Sequence, residues 1–130
     1  MERYEVTINR IAQGEIPMEE GIEWFKALPE EEQHKALRGM NLCIHQSHPR
    51  EPEIEEGIKL SGLKETYTPC VIMRKNTFNS ARAKVLALPS HEWLKAFRLW
   101  LAIFTIADSR RRSTDCQAGC DHWWHNLEML

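Results

Sequence analysis

The stretch from Trp93 to Ala107 constrains the fold more than any other part of the chain. Its large apolar residues are Trp93, Leu94, Phe97, Trp100, Leu101 and Phe104. On a helix these side chains point in nearly every direction, and a helix that is apolar all round must be surrounded by other helices. The stretch is interrupted by polar residues and is shorter than the roughly 18 to 20 apolar residues that span a bilayer. We therefore predict that Ser90 to about Arg111 forms the central helix of a bundle.

Shorter amphipathic segments, separated by proline and glycine, precede this central helix. Met18, Ile22 and Phe25 recur at spacings of four and three, which is typical of a helix with one buried face. Residues 4–8 and 70–73 also suit short strands, since the first alternates and the second is a short apolar run. No repeat or linker divides the 130 residues. The sequence predicts an all-α, single-domain irregular helical bundle of about five to seven helices around the hydrophobic helix in the C-terminal third.

Two helix ends are marked by local sequence signals. Ser61 and Gly62 predict a C-terminal cap, because glycine adopts the left-handed conformation that ends many helices. Thr68 before Pro69 predicts an N-cap followed by a proline in the first helical turn.

The formal net charge of −2 is too small to indicate either a nucleic acid or a membrane surface as a partner, and neither is favoured. The charge is unevenly distributed along the chain. Residues 15–32 hold seven glutamates against one lysine, whereas residues 74–112 hold nine lysines and arginines against two acidic residues. This asymmetry is typical of solvated helix faces, and it also allows a dipolar surface.

The N-terminal residues lack the basic start and apolar stretch of a secretory signal, so we expect a cytoplasmic protein. In that compartment the four cysteines would stay reduced or bind metal rather than form disulfides.

The most unusual motif combines two cysteines and two histidines near the C-terminus. Its candidate metal ligands are Cys116, Cys120, His122 and His125. Two thiolates and two imidazoles are a ligand set that tetrahedral zinc accepts, but the two pairs are almost contiguous, which crowds them. The alternatives are packing of the cysteines as small apolar residues, hydrogen bonding by the histidines, and a reactive thiol pair.

A second polar group follows the apolar helix. Asp108, Arg110, Arg111 and Arg112 are its members, and adjacent arginines point in different directions around a helix. Cations complement the negative end of the helix dipole, and at least one arginine is expected to turn inward and pair with a carboxylate. A phosphate contact and a polar catalytic cleft are the sharper alternatives.

Several motifs resemble a bacterial family of small uncharacterised proteins, a domain of unknown function. They are Ala12-Gln13-Gly14, Gly21 to Phe25, Leu88-Pro89, Lys95 to Leu99, Ala107-Asp108, Arg110 to Arg112, and the C-terminal Cys116, Gly119-Cys120 and His122 to His125. The resemblance implies a bacterial origin and a helical fold, and it carries no activity, substrate or cofactor.

Three functional hypotheses follow. The first is a small helical interaction or regulatory protein, with an unidentified protein partner or as a homodimer, whose Cys/His terminus is structural. Adjacent Trp123 and Trp124 favour a contact surface at that end. The second is a zinc-binding protein that uses the C-terminal cluster. The third is a small enzyme whose cleft combines Asp108 and the arginines with His122 or His125.

Overall fold

The computed structural model describes the backbone of residues 2–115 and the side chains of residues 4–77 and 79–111. This part of the chain contains seven α-helices, one 3-10 helix and no strand. The helices are α1 (Glu2–Ala12), α2 (Met18–Ala27), α3 (Glu30–Ser47), α4 (Glu51–Ser61), α5 (Thr68–Lys75), α6 (Phe78–Leu86) and α7 (Trp93–Asp115), with the 3-10 helix Ser90–Glu92 directly before α7. The predicted all-α bundle is confirmed. The two segments with a strand alternative lie in α1 and α5, because their apolar faces pack against neighbouring helices rather than in a sheet.

Helix α7 is the centre of the bundle, as its apolar sequence predicted. Each of the other six helices packs against it. Phe97 and Leu101 are fully buried, and Phe97 stacks on Phe25 of α2 with ring centroids 4.2 Å apart. The indole Nε1 of buried Trp100 donates to Met73 Sδ of α5 at 3.1 Å. None of the helices described combines the length and apolar character needed to cross a membrane.

The contacts between helices define their directions. On α1 and α3, Tyr4 lies beside Gly39 and Asn9 lies beside Cys43, so these two helices run the same way. His34 near the start of α3 contacts Trp93 at the start of α7, and Arg111 toward the end of α7 bonds to Gln46 toward the end of α3, so α3 and α7 are parallel as well. Helices α2 and α4 run in the opposite direction, and this alternation follows from the short connections between consecutive helices.

Prolines and glycines lie near most of the helix ends. Gly62 ends α4 in the left-handed conformation at φ 76°, and its N–H donates to Lys59 O at 3.1 Å, as predicted. The predicted N-cap at Thr68 is wrong by one residue. Tyr67 occupies that position and Thr68 is the first residue of α5, with no side-chain capping bond.

Candidate functional site

The described residues of the predicted polar cleft, Asp108, Arg110 and Arg111, lie toward the C-terminal end of α7. Arg110 Nε forms an ion pair with Glu53 Oε2 of α4 at 3.1 Å. The Glu53 side chain is only 4% exposed, and its Oε1 accepts from the backbone N–H of Arg50 at 2.7 Å. One buried carboxylate therefore caps α4 and joins it to α7, which gives this arginine a structural role.

Arg111 turns to a different helix. Its Nη1 donates to the carbonyl oxygen of Gln46 on α3 at 3.0 Å, 65 residues away in sequence. Asp108 influences buried Cys43 electrostatically. The pKa of the Cys43 thiol is raised to about 12, mainly because the thiol is buried, and the carboxylates of Glu5 and Asp108 contribute to the same rise. Arg110 and Arg111 thus contact different helices, α4 and α3, and Asp108 acts electrostatically on Cys43 of α3.

The remaining cleft and metal residues lie outside what the structure describes. They are the side chain of Arg112 and all of Cys116, Cys120, His122 and His125. The zinc site and the catalytic cleft therefore stay predictions. Within the described side chains, no three histidine, cysteine or acidic groups come together as a metal site.

Two cysteines of the described part are free thiols in the core. Cys43 and Cys70 are both buried, and desolvation raises the pKa of each. Since the thiolate is the reactive form, these residues act as small apolar side chains. His45 and His48, which the sequence places near Cys43, have ring centroids 6.0 Å apart at the exit of α3.

An open groove of about 540 Å³ between α3 and the start of α7 was not predicted. We call it the α3–α7 groove, and it is lined by Glu30, Glu31, His34, Lys35, Arg38 and Trp93. Trp93 is half-buried, and its indole Nε1 donates to Leu88 O at 2.9 Å. Its ring lies 5.2 Å from that of His34, centroid to centroid. The indole is therefore a fixed aromatic wall in the middle of the groove.

Charges are ordered along this groove. Glu30 and Glu31 lie at one end, in the first turn of α3, and Lys35 and Arg38 lie toward the other. Lys35 pairs with Glu32 at 3.4 Å, whereas Glu30, Glu31 and Arg38 form no ion pair with any side chain that the structure describes. The α3 face therefore carries an acidic end, an aromatic middle and a basic end.

The sequence contained one signal for the groove. Glu31, His34 and Arg38 recur at spacings of three and four, so they share one helix face. The acidic run looked like a favourable helix start, and Trp93 looked like part of the core. Only the parallel arrangement of α3 and α7 brings His34 and Trp93 together.

These features define the class of the molecule as an all-α helical bundle with a central apolar helix and charged surface grooves. A family model described as a family of unknown function, DUF5958, matches residues 3–127, and the chain belongs to that family. No curated protein and no solved structure matches the chain.

Proposed function

We propose that this chain is a small helical interaction protein that associates with a second copy of itself through the α3–α7 groove. The observation that carries the proposal is the order of charges along α3, with Glu31 and Arg38 on either side of His34 and Trp93. The proposal places the protein in the cytoplasm, where buried Cys43 and Cys70 would stay reduced.

The α3 face is complementary to itself. Glu31 and Arg38 are seven residues apart, or about 10 Å along a helix. If two copies of α3 meet antiparallel about a two-fold axis near His34, Glu31 of each copy faces Arg38 of the other. A two-fold interface requires this reciprocity, since the same patch is used on both sides.

The aromatic side chains in the middle of the groove supply the contact area, and the charged side chains on either side orient the two copies. Tryptophan is enriched among residues that dominate binding energy, especially where a ring of polar groups excludes water. Trp93 already has its N–H satisfied by Leu88 O, so its exposed part can be covered without leaving an unpaired donor. The groove residues are few compared with the 20 to 30 per side of a standard interface, and we expect a dissociation constant on the order of 100 µM.

Sedimentation equilibrium over a range of protein concentrations tests the proposal. The wild-type chain should associate, and Arg38→Glu should abolish association because it places two acidic groups opposite each other at both ends of the interface. Arg82→Glu is the matched control, because it makes the same charge change at an exposed residue of α6. A wild-type protein that stays monomeric at millimolar concentration would refute the proposal, as would equal association of the two variants.

A further inference from the structure

A second cleft, of about 370 Å³, lies where the loop between α4 and α5 meets the first turn of α7. Its walls include Leu63, Lys64, Thr66, Tyr67, Thr68 and Lys95. The volume falls in the range of small-molecule sites, which is about 300 to 1,000 Å³. We call it the α4–α5 cleft, and it is separate from the residues that carry the proposed dimer.

The charged groups that line the cleft are all positive. Lys64 and Lys95 contribute ammonium groups, and no carboxylate is among the lining side chains. Neither lysine forms an ion pair within the described part of the chain. Arg98 adds a third cation nearby, with its Nη2 bonded to Ser61 O at 2.8 Å, beside Gly62.

One of these cations is held in position. Lys95 Nζ lies over the Tyr67 ring, 4.5 Å from its centroid, where the negative face of the ring attracts it. Most surface lysines lose side-chain entropy when they bind an anion, and this contact reduces that loss because the ammonium group is already oriented.

Two carboxylates lie next to the cleft in sequence, Glu65 and Glu92, and both are already engaged. Glu65 pairs with Arg74 Nη1 at 3.5 Å. Tyr67 Oη donates to Glu92 Oε1, and His91 Nε2 lies 3.2 Å from Glu92 Oε2. These contacts direct the Glu92 charge toward Tyr67 and His91 instead of toward the lysines. The charged side chains that line the cleft are therefore two lysines without a lining carboxylate, and the nearby carboxylates of Glu65 and Glu92 have other partners.

We propose that the α4–α5 cleft binds a small phosphomonoester. Two ammonium groups match the charge of about −1.5 to −2 that a phosphomonoester carries at neutral pH. The hydroxyls of Thr66 and Thr68 can donate to further phosphate oxygens. Leu63 and the Tyr67 ring provide an apolar wall for a short organic group, and this wall favours an ester over free phosphate.

A titration followed by amide NMR shifts tests this site, with phenyl phosphate, inorganic phosphate and acetate as probes at constant ionic strength and pH 7.5. Phenyl phosphate should shift residues 62–68 and Lys95 and saturate in the millimolar range, with inorganic phosphate weaker and acetate weakest. The double variant Lys64→Met/Lys95→Met should bind phenyl phosphate roughly tenfold more weakly, because two exposed charge contacts are lost.

Lys75→Met is the matched control, since Lys75 is an exposed lysine at the far end of α5. It should leave the affinity for phenyl phosphate unchanged. The proposal is overturned if the shifts scatter over the surface lysines, if acetate binds as tightly as phenyl phosphate, or if the control and the double variant weaken binding equally.

Discussion

Helices α4 and α1 pack against the bundle in different ways. At the α4–α7 crossing, a Cβ added to Gly57 would lie 2.9 Å from Ile103 Cα and 3.0 Å from Ile103 N. At the α1–α3 crossing, a Cβ added to Gly39 would meet Glu5 Cγ and Tyr4 Cβ at 3.6 Å, an ordinary van der Waals distance. The first pair touches backbone to backbone, whereas side chains separate the second.

Polar contacts strengthen this difference. Both ends of α4 are attached to α7 by arginines, through Arg98 to Ser61 O and through Arg110 to Glu53. Between α1 and α3, Asn9 Nδ2 lies 4.0 Å from Cys43 Sγ, a weak polar contact. The comparison indicates that the contact between α4 and α7 leaves less room for change than the contact between α1 and α3.

The largest effect is expected for Gly57→Ala. The added methyl group meets the Ile103 backbone, which cannot rotate away, so α4 must move from α7 and lose packing along its length. Overpacking of this kind costs about 3 kcal/mol, partly offset by the better helix propensity of alanine. Urea denaturation should show a clear fall in the free energy of unfolding, and an unchanged midpoint would show that the helices are not in backbone contact.

Glu53→Ala should cost about 2 kcal/mol, because it removes both the acceptor for the Arg50 N–H and the partner of Arg110. Glu53→Gln keeps an acceptor for the cap and loses only the charge, so it should cost about half as much. The two variants compared by thermal denaturation separate the capping bond from the ion pair. Equal losses of stability in the two variants would mean that the charge of Glu53 accounts for the whole effect and the capping bond for none of it.

At the α1–α3 interface, alkaline pH should reveal the buried thiol of Cys43. Its pKa is about 12 in the folded protein against an ordinary 9.0, so the thiol stays neutral when folded and ionises when unfolded. Its contribution to stability is complete below pH 9 and is lost between pH 9 and 12, at up to about 1.4 kcal/mol per pH unit. In the Cys43→Val variant the free energy of unfolding should fall less steeply with pH between pH 9 and 12. A fall as steep as in the wild type would contradict the raised pKa of Cys43.

The smallest effect is expected for Gly39→Ala. This is the same exchange as Gly57→Ala, but we expect it to raise the free energy of unfolding instead of lowering it. Here the methyl group has ordinary contact distances, and alanine favours the helix by up to about 1 kcal/mol. The melting temperature should rise by a few degrees. A loss as large as that of Gly57→Ala would mean that α1 is as tightly packed as α4.

Sequence reasoning recovered the parts of the fold that depend on local pattern. The all-round apolar character of α7 predicted its central position, and Gly62 predicted the end of α4. The partners of Arg110 and Arg111 could not be predicted, since Glu53 and Gln46 lie far away in sequence and only the packing of α3 and α4 on α7 brings them close.

Other features depend on the distances between helices, which cannot be read from the spacing of apolar residues in the sequence. Nothing in the sequence distinguishes Gly57 from Gly39, because both are glycines inside helices. The α3–α7 groove needed the relative direction of two helices, although the charge order along α3 was already visible.

The central functional claim, a two-fold dimer through α3, is tested most directly by mixing two variants that should each be monomeric. Arg38→Glu alone places acidic groups opposite Glu31, and Glu31→Arg alone places basic groups opposite Arg38. In the mixed dimer every such pair is of opposite charge. Sedimentation of the mixture should therefore show a one-to-one complex at concentrations where each variant alone is monomeric, whereas a mixture that stays monomeric would contradict the account.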